Sequence, residues 1–114
     1  MKKLTTKEFK EIVYDFEKDQ DFSNKQDKPI IIDFYADWCG PCRAIAPILE
    51  DLEKEGDFTL YKVDTDEEYD LSKYFNIRSI PTLIFVPKKG KPVAHMGAYP
   101  KGEIKKLINK YFAE

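Results

Sequence analysis

Trp38-Cys39-Gly40-Pro41-Cys42 contains the only two cysteines of the 114 residues, and it stands between two segments of different periodicity. Before it, Pro29-Ile30-Ile31-Ile32-Asp33-Phe34-Tyr35-Ala36 has the length, apolar character and β-branched content of a buried strand. After it, Ile45, Ile48, Leu49 and Leu52 recur at i, i+3, i+4 and i+7, the stripe of a helix packed on a sheet. The cysteines are therefore expected where a strand hands over to a helix. A helix N-terminus offers unpaired N–H groups and a partial positive charge, which favour an anionic sulfur over a neutral thiol. Cys39 is expected at the exposed lip of this turn and Cys42 shielded in the first helical turn. On that reading Cys39 attacks a target disulfide and Cys42 resolves the mixed disulfide.

Length and charge narrow the field. A chain of 114 residues can bury a core without staples, so one domain over residues 1–114 is expected. With 42% hydrophobic and 35% charged residues, composition points neither to disorder nor to a membrane-spanning chain. Lys plus Arg number 19 against 21 Asp plus Glu, a net charge of −2 that gives no reason to invoke nucleic acid or an anionic membrane. Met1-Lys2-Lys3 has the charge of a signal-peptide start, but polar residues follow where the apolar stretch would be. A cytoplasmic address is the expectation, with a periplasmic one as the alternative if a signal segment has been removed.

In chain order, Leu4-Thr5-Thr6-Lys7-Glu8-Phe9 carries a capping box, Thr5 with Glu8, and a staple of Leu4 on Phe9. A helix is predicted from about Thr6 to Glu17, with Phe9, Ile12, Val13 and Phe16 inward. Only Lys2 to Leu4 is available for a strand before it. Residues Asp19 to Lys28 read as a polar connection anchored at Phe22. Gly56 is a stop for the helix after the cysteines, where Pro47 is expected to introduce a kink. Phe58 to Asp64 reads as a strand, and Thr65 with Glu68 as a second capping box opening a helix that ends near Asn76. Thr82 to Val86 and Val93 to Met96 form a hairpin around the turn Pro87 to Pro92, and a last helix presents Ile104, Leu107, Ile108 and Tyr111. The βαβ unit and the closing hairpin make the sheet mixed, with helices on both faces.

Other chemistries fit the cysteines poorly. Zinc normally takes four ligands, and His95 is the only histidine, so no metal is expected. A structural bridge closing so short a loop would add little stability. Asp33 lies in an apolar run, where a carboxylate is costly without a partner or a task, unless it faces solvent on an edge strand. Lys62 alternates with Phe58 and Leu60 on an inward face, which a snorkelling lysine also satisfies. His95 reads as an ordinary strand residue.

The segment Asp33-Phe34-Tyr35-Ala36-Asp37-Trp38-Cys39-Gly40-Pro41-Cys42-Arg43, with Ile45-Ala46-Pro47 and the later Ile80-Pro81-Thr82, resembles the active-site segment of the thioredoxin family. The resemblance covers roughly residues 28 to 112. It implies an α/β thioredoxin fold, a central mixed β-sheet flanked by helices on both faces, and protein-disulfide reduction through Cys39 and Cys42 with no cofactor. It also implies Asp33 behind Cys42 as the base for the resolving thiol, Lys62 near Asp33, and a cis peptide at Pro81 facing the cysteines. Trp38, Gly40, Pro41, Ile80, Gly97 and Ala98 would then form an apolar contact surface, with the Ile80 backbone pairing to an extended substrate. In the family a Gly-Pro insert accompanies reductants. Implied partners are disulfide-containing target proteins and an electron donor such as a thioredoxin reductase, and the implied state is a monomer. Tyr35 stands where many members have Trp and Asp37 where many have Glu, which points to tuning.

Overall fold

The computed structural model describes residues 1–113. The chain runs β1 (Lys2–Lys3), α1 (Thr6–Ile12), β2 (Ile30–Tyr35), α2 (Gly40–Glu55), β3 (Thr59–Asp64), α3 (Tyr69–Tyr74), β4 (Thr82–Val86), β5 (Val93–Met96) and α4 (Lys101–Phe112). Its five strands form one sheet in the order β1-β3-β2-β4-β5. β1 and β2 run parallel to β3, whereas β4 is antiparallel to β2 and β5 to β4, so the sheet is mixed. The expected N-terminal strand exists but is two residues long, continued by Leu4 N–H donating to the Lys62 carbonyl at 2.8 Å.

Alternation along β2 sorts the core into two layers. Ile30, Ile32 and Phe34 face one side with Leu4, Phe9, Val13, Val63, Leu71, Ile84 and Val86. Ile31 faces the other side, where Ile45, Leu49 and Leu52 of α2 and Ile104 of α4 pack with Leu60, Leu83 and Phe85. Each fully buried aliphatic or aromatic side chain contributes about 1.5–3 kcal/mol. Because β2 lies third of five strands and has helices over both faces, five of its six residues are buried.

The capping box at the start of α1 forms as read: Glu8 N–H donates to Thr5 Oγ1 at 3.1 Å, and Thr5 N–H donates to a Glu8 carboxylate oxygen at 3.0 Å. The helix itself stops at Ile12, short of the expected Glu17. Val13 caps it at φ −115°, Tyr14 N–H reaches back to the Phe9 carbonyl, and the Asp15 and Asp19 carboxylates accept backbone N–H groups in a turn that replaces further helix. Phe16 nonetheless reaches the core, stacking on Tyr74 with ring centroids 4.5 Å apart. Phe22 anchors the polar connection against Tyr14, 4.7 Å between centroids.

The second capping box does not form. Thr65 Oγ1 donates to the Tyr35 carbonyl at 3.1 Å, while the Glu68 carboxylate accepts Thr6 N–H at 2.8 Å and so serves the N-terminus of α1. α3 opens at Tyr69 without a side-chain cap and ends before Asn76, which takes φ 54°. Gly56 ends α2, though at φ −107° and not in the left-handed region. Space explains the glycine: a Cβ there would lie 2.7 Å from the Phe58 ring. α2 continues through Pro47, which contributes no N–H to the helix ladder.

Candidate active site

β2 ends at Tyr35 and α2 begins at Gly40, so the cysteines stand at the carboxyl end of a central strand and the N-terminus of the longest helix. Cys39 is the N-cap of α2, with Pro41 in the first turn, where its missing N–H costs nothing. Cys39 and Cys42 are joined as a disulfide. The Cys42 N–H points at Cys39 Sγ at 3.2 Å, one of the free amides of the helix start. In the reduced protein the same amide and the helix dipole favour negative charge on Cys39.

Cys39 is not on an exposed lip in this oxidised form. It is 4% exposed and Cys42 3%, both lying in a small cluster with Ala36, Tyr35 and Ile80. What differs between them is the neighbourhood. Cys39 Sγ lies 3.9 Å from the Ile80 carbonyl oxygen, on the side of the Ile80–Pro81 peptide, which is cis. Cys42 instead lines a cavity of about 180 Å3 shared with Asp33, Ala46, Glu50 and Lys62.

Asp33 sits on β2 between Lys62 of β3 and Leu83 of β4, which overturns the solvent-facing edge position. It is 2% exposed, and its Oδ1 has no hydrogen-bond partner. Burial pushes its carboxyl up from 3.8 to about 7, with the Lys62 charge pulling the other way. Lys62 is the register partner of Asp33 and is half-buried, its Nζ 5.4 Å from the Tyr35 ring centroid. The cation thus stabilises the Asp33 anion through space while resting on an aromatic face.

The apolar surface expected around Cys39 divides by exposure. Trp38 is 69% exposed, and Gly40, Pro41 and Ala98 are also exposed. Ile80 and Gly97 are half-buried and Pro81 is buried. Gly97, at φ 113°, brings its N–H to the Pro81 carbonyl at 2.8 Å and so fixes the β5 end against the Ile80–Pro81 corner. Sequence reasoning missed Asp66, whose carboxylate accepts the Trp38 indole N–H at 3.0 Å and holds the ring beside the cysteines. No local spacing links residues 28 apart. His95 lies away from the cysteines on β5, its Nε2 2.9 Å from the Tyr111 hydroxyl, and desolvation lowers its pKa, as does the nearby Lys110.

A family model described as Thioredoxin matches residues 1–110. Over 111 residues the chain is 41% identical to a thioredoxin of Borreliella burgdorferi, an alignment spanning 96% of this chain and 95% of that one. It is 38% identical over 96 residues to a chloroplastic M-type thioredoxin of Spinacia oleracea, covering 82% of this chain and 53% of that protein, so it spans about half of that relative's length. Among solved structures, a mutant thioredoxin from Halobacterium salinarum NRC-1 matches with a TM-score of 0.80 at 28% identity, over 99% of this chain and 91% of that one.

Proposed function

This chain belongs to the thioredoxin family and is a protein-disulfide oxidoreductase exchanging dithiol for disulfide at Cys39 and Cys42; from that premise we propose how its residues divide the reaction. Cys39, as thiolate, attacks one sulfur of a target disulfide. A Cys39–target bond forms, the target S–S bond breaks, and the displaced sulfur leaves as a thiolate that takes a proton. Cys42 then gives its proton to Asp33 and attacks Cys39 Sγ. The Cys39–Cys42 bond closes, the bond to the target breaks, and the released sulfur leaves as a thiolate that takes a proton, so the target departs as a dithiol carrying two electrons.

The observation that carries this assignment is the asymmetry around the bridge: Cys39 Sγ receives the Cys42 N–H at 3.2 Å, whereas Cys42 shares its cavity with Asp33. A carboxyl near pH 7 is suited to take a proton and return it at neutral pH. Lys62 tunes that acid from the neighbouring strand. Trp38, Gly40, Pro41, Ile80, Pro81, Gly97 and Ala98 are assigned to the target contact surface, with the Ile80 backbone pairing to an extended target segment, a reading supported by the 3.9 Å between Ile80 O and Cys39 Sγ.

The protein needs no bound cofactor for this cycle and is recharged by a dithiol donor such as a thioredoxin reductase. It acts as a monomer, one domain per chain, and the cytoplasm is its place of action. Among the described residues no helix is long and apolar enough to cross a membrane.

The test is differential alkylation of the reduced protein near neutral pH, read at each cysteine by mass spectrometry. Cys39 is expected to react quickly and Cys42 slowly. Equal rates would remove the attack-and-resolve assignment.

A further inference from the structure

The two faces of the sheet are covered unequally. α2 and α4, 16 and 12 residues long, lie over one face, and on that side His95 of β5 is packed against Phe85, Tyr99 and Tyr111. On the other face α3 has only six residues and leaves β5 bare. Ala94 and Met96, which point to that side opposite Ile84 and Thr82, are exposed, Met96 by 60%. Tyr74, Phe75, Ile84, Pro92 and Ala94 line a groove of about 290 Å3 there.

This strip is continuous with the redox centre. Ile80 O lies 3.9 Å from Cys39 Sγ, Pro81 O accepts Gly97 N–H, and Met96 pairs with Thr82 directly after Pro81. Two residues further along the same face come Ile84 and Ala94, in the groove itself. From Ile80 to Ile84 the strand covers four residues, roughly 13 Å of extended chain. A polypeptide entering at Cys39 and running extended past Met96 therefore sets a side chain about four residues from its attacked cysteine over the groove.

We propose that the groove between α3 and β5 is a specificity pocket for the disulfide-bearing target, taking an aliphatic side chain that lies about four residues from the cysteine Cys39 attacks. The inference rests on the disulfide-exchange reading above. Attack on the sulfur is the same for every target, so discrimination must come from contacts beyond the bond that breaks, and this uncovered apolar strip begins where those contacts begin. The tyrosine at its wall, Tyr74, is held by stacking on Phe16 and edge contact with Phe75, so the pocket is preformed.

The experiment compares two cystine peptides, one with leucine and one with aspartate four residues to either side of each cysteine, reduced by the full chain, with glutathione disulfide as a small substrate that cannot reach the groove. The leucine peptide is expected to show a kcat/KM higher by about tenfold, the lower range for one aliphatic side chain buried. Ala94→Trp, which fills the groove, and Tyr74→Glu, which charges its wall, should each erase that preference while leaving the rate with glutathione disulfide unchanged. Equal rates for the two peptides with the unaltered protein overturn the proposal, as does a preference that survives both substitutions. A dimer in sedimentation that dissociates in Tyr74→Glu would give the strip to a second copy and also overturn it. Failure of the unaltered protein to reduce the peptides and glutathione disulfide alike would instead strike the disulfide-exchange reading.

Discussion

Replacing Asp33 by asparagine should stabilise the oxidised protein, and the gain should depend on pH in a way fixed by the carboxyl's burial. Asp33 titrates near 7 in the folded chain against an ordinary 3.8, raised by desolvation and partly held back by Lys62. The folded state therefore binds its proton more tightly than the unfolded state does. A group of this kind contributes stability that is fully present below the unfolded value and is lost as pH rises to the folded one. Between about pH 4 and pH 7 that loss amounts to roughly 4 kcal/mol, from about 1.4 kcal/mol for each tenfold change in proton affinity. A carboxamide cannot ionise in this range, so the Asp33→Asn protein should lack the decline. Urea unfolding at pH 4, 5.5, 7 and 8.5 would show near-equal stabilities in acid and a gap widening toward about 4 kcal/mol in alkali. Lys62→Met supplies the internal control: removing the opposing charge moves the Asp33 carboxyl further up, so the decline should extend to higher pH. Parallel stability profiles for the unaltered and Asp33→Asn proteins would refute the burial argument. On the proposed division of labour, in which Asp33 takes the Cys42 proton, target reduction by Asp33→Asn should slow as well.

Cys42→Ser should accumulate covalent complexes with disulfide-bearing proteins in a thiol-quenched extract and Cys39→Ser should not, as read on non-reducing gels; equal trapping would deny the division of labour. Thr5→Ala removes the side chain that accepts Glu8 N–H and should cost about 1 kcal/mol in urea unfolding. Gly56→Ala should cost about 1–3 kcal/mol, because the new Cβ would lie 2.7 Å from the buried Phe58 ring; a neutral change in the midpoint would mean the ring yields freely.

The parts of the fold legible in the sequence are those set by short-range pattern. The β2 run, the α2 stripe, the Thr5–Glu8 box and the β4–β5 hairpin all depend on residues within a few positions of one another. The errors occur where a distant partner outcompetes the local one. Thr65 and Glu68 have capping-box spacing, yet the Tyr35 carbonyl takes the hydroxyl and the Thr6 amide takes the carboxylate. Phe16 keeps helical spacing with Phe9, Ile12 and Val13, but it is delivered to the core by a turn, since Tyr74 of α3 is waiting for its ring. The Trp38–Asp66 bond and the cavity joining Asp33 to Cys42 arise only once β2, α2 and β3 are assembled. The expectation of an exposed Cys39 came from its place in the turn and took no account of Tyr35, Ala36 and Ile80, distant or backbone-set neighbours that pack against the cysteines.

Strand order explains why the acid is where it is. An edge strand would leave Asp33 within reach of water, and its carboxyl would then titrate in the ordinary range, ionised long before neutral pH and of little use as a proton acceptor. Third place in the order β1-β3-β2-β4-β5, with helices on both faces, cuts the exposure of Asp33 to 2%. The same place ends β2 at the N-terminus of α2, so the strand that buries the acid is also the one that delivers Cys39 and Cys42 to the helix start. Ile30, Ile31, Ile32 and Phe34, all at 0% exposure, anchor the strand firmly enough to hold one unpartnered carboxylate among them. If the acid could be moved one residue along β2, to Ile32 or Phe34, alternation would turn it to the α1 and α3 face and away from Cys42. Of the two buried β2 positions on the α2 side, 31 and 33, only 33 lines the cavity that Cys42 shares, so register and strand order together bury the acid and turn it toward that sulfur.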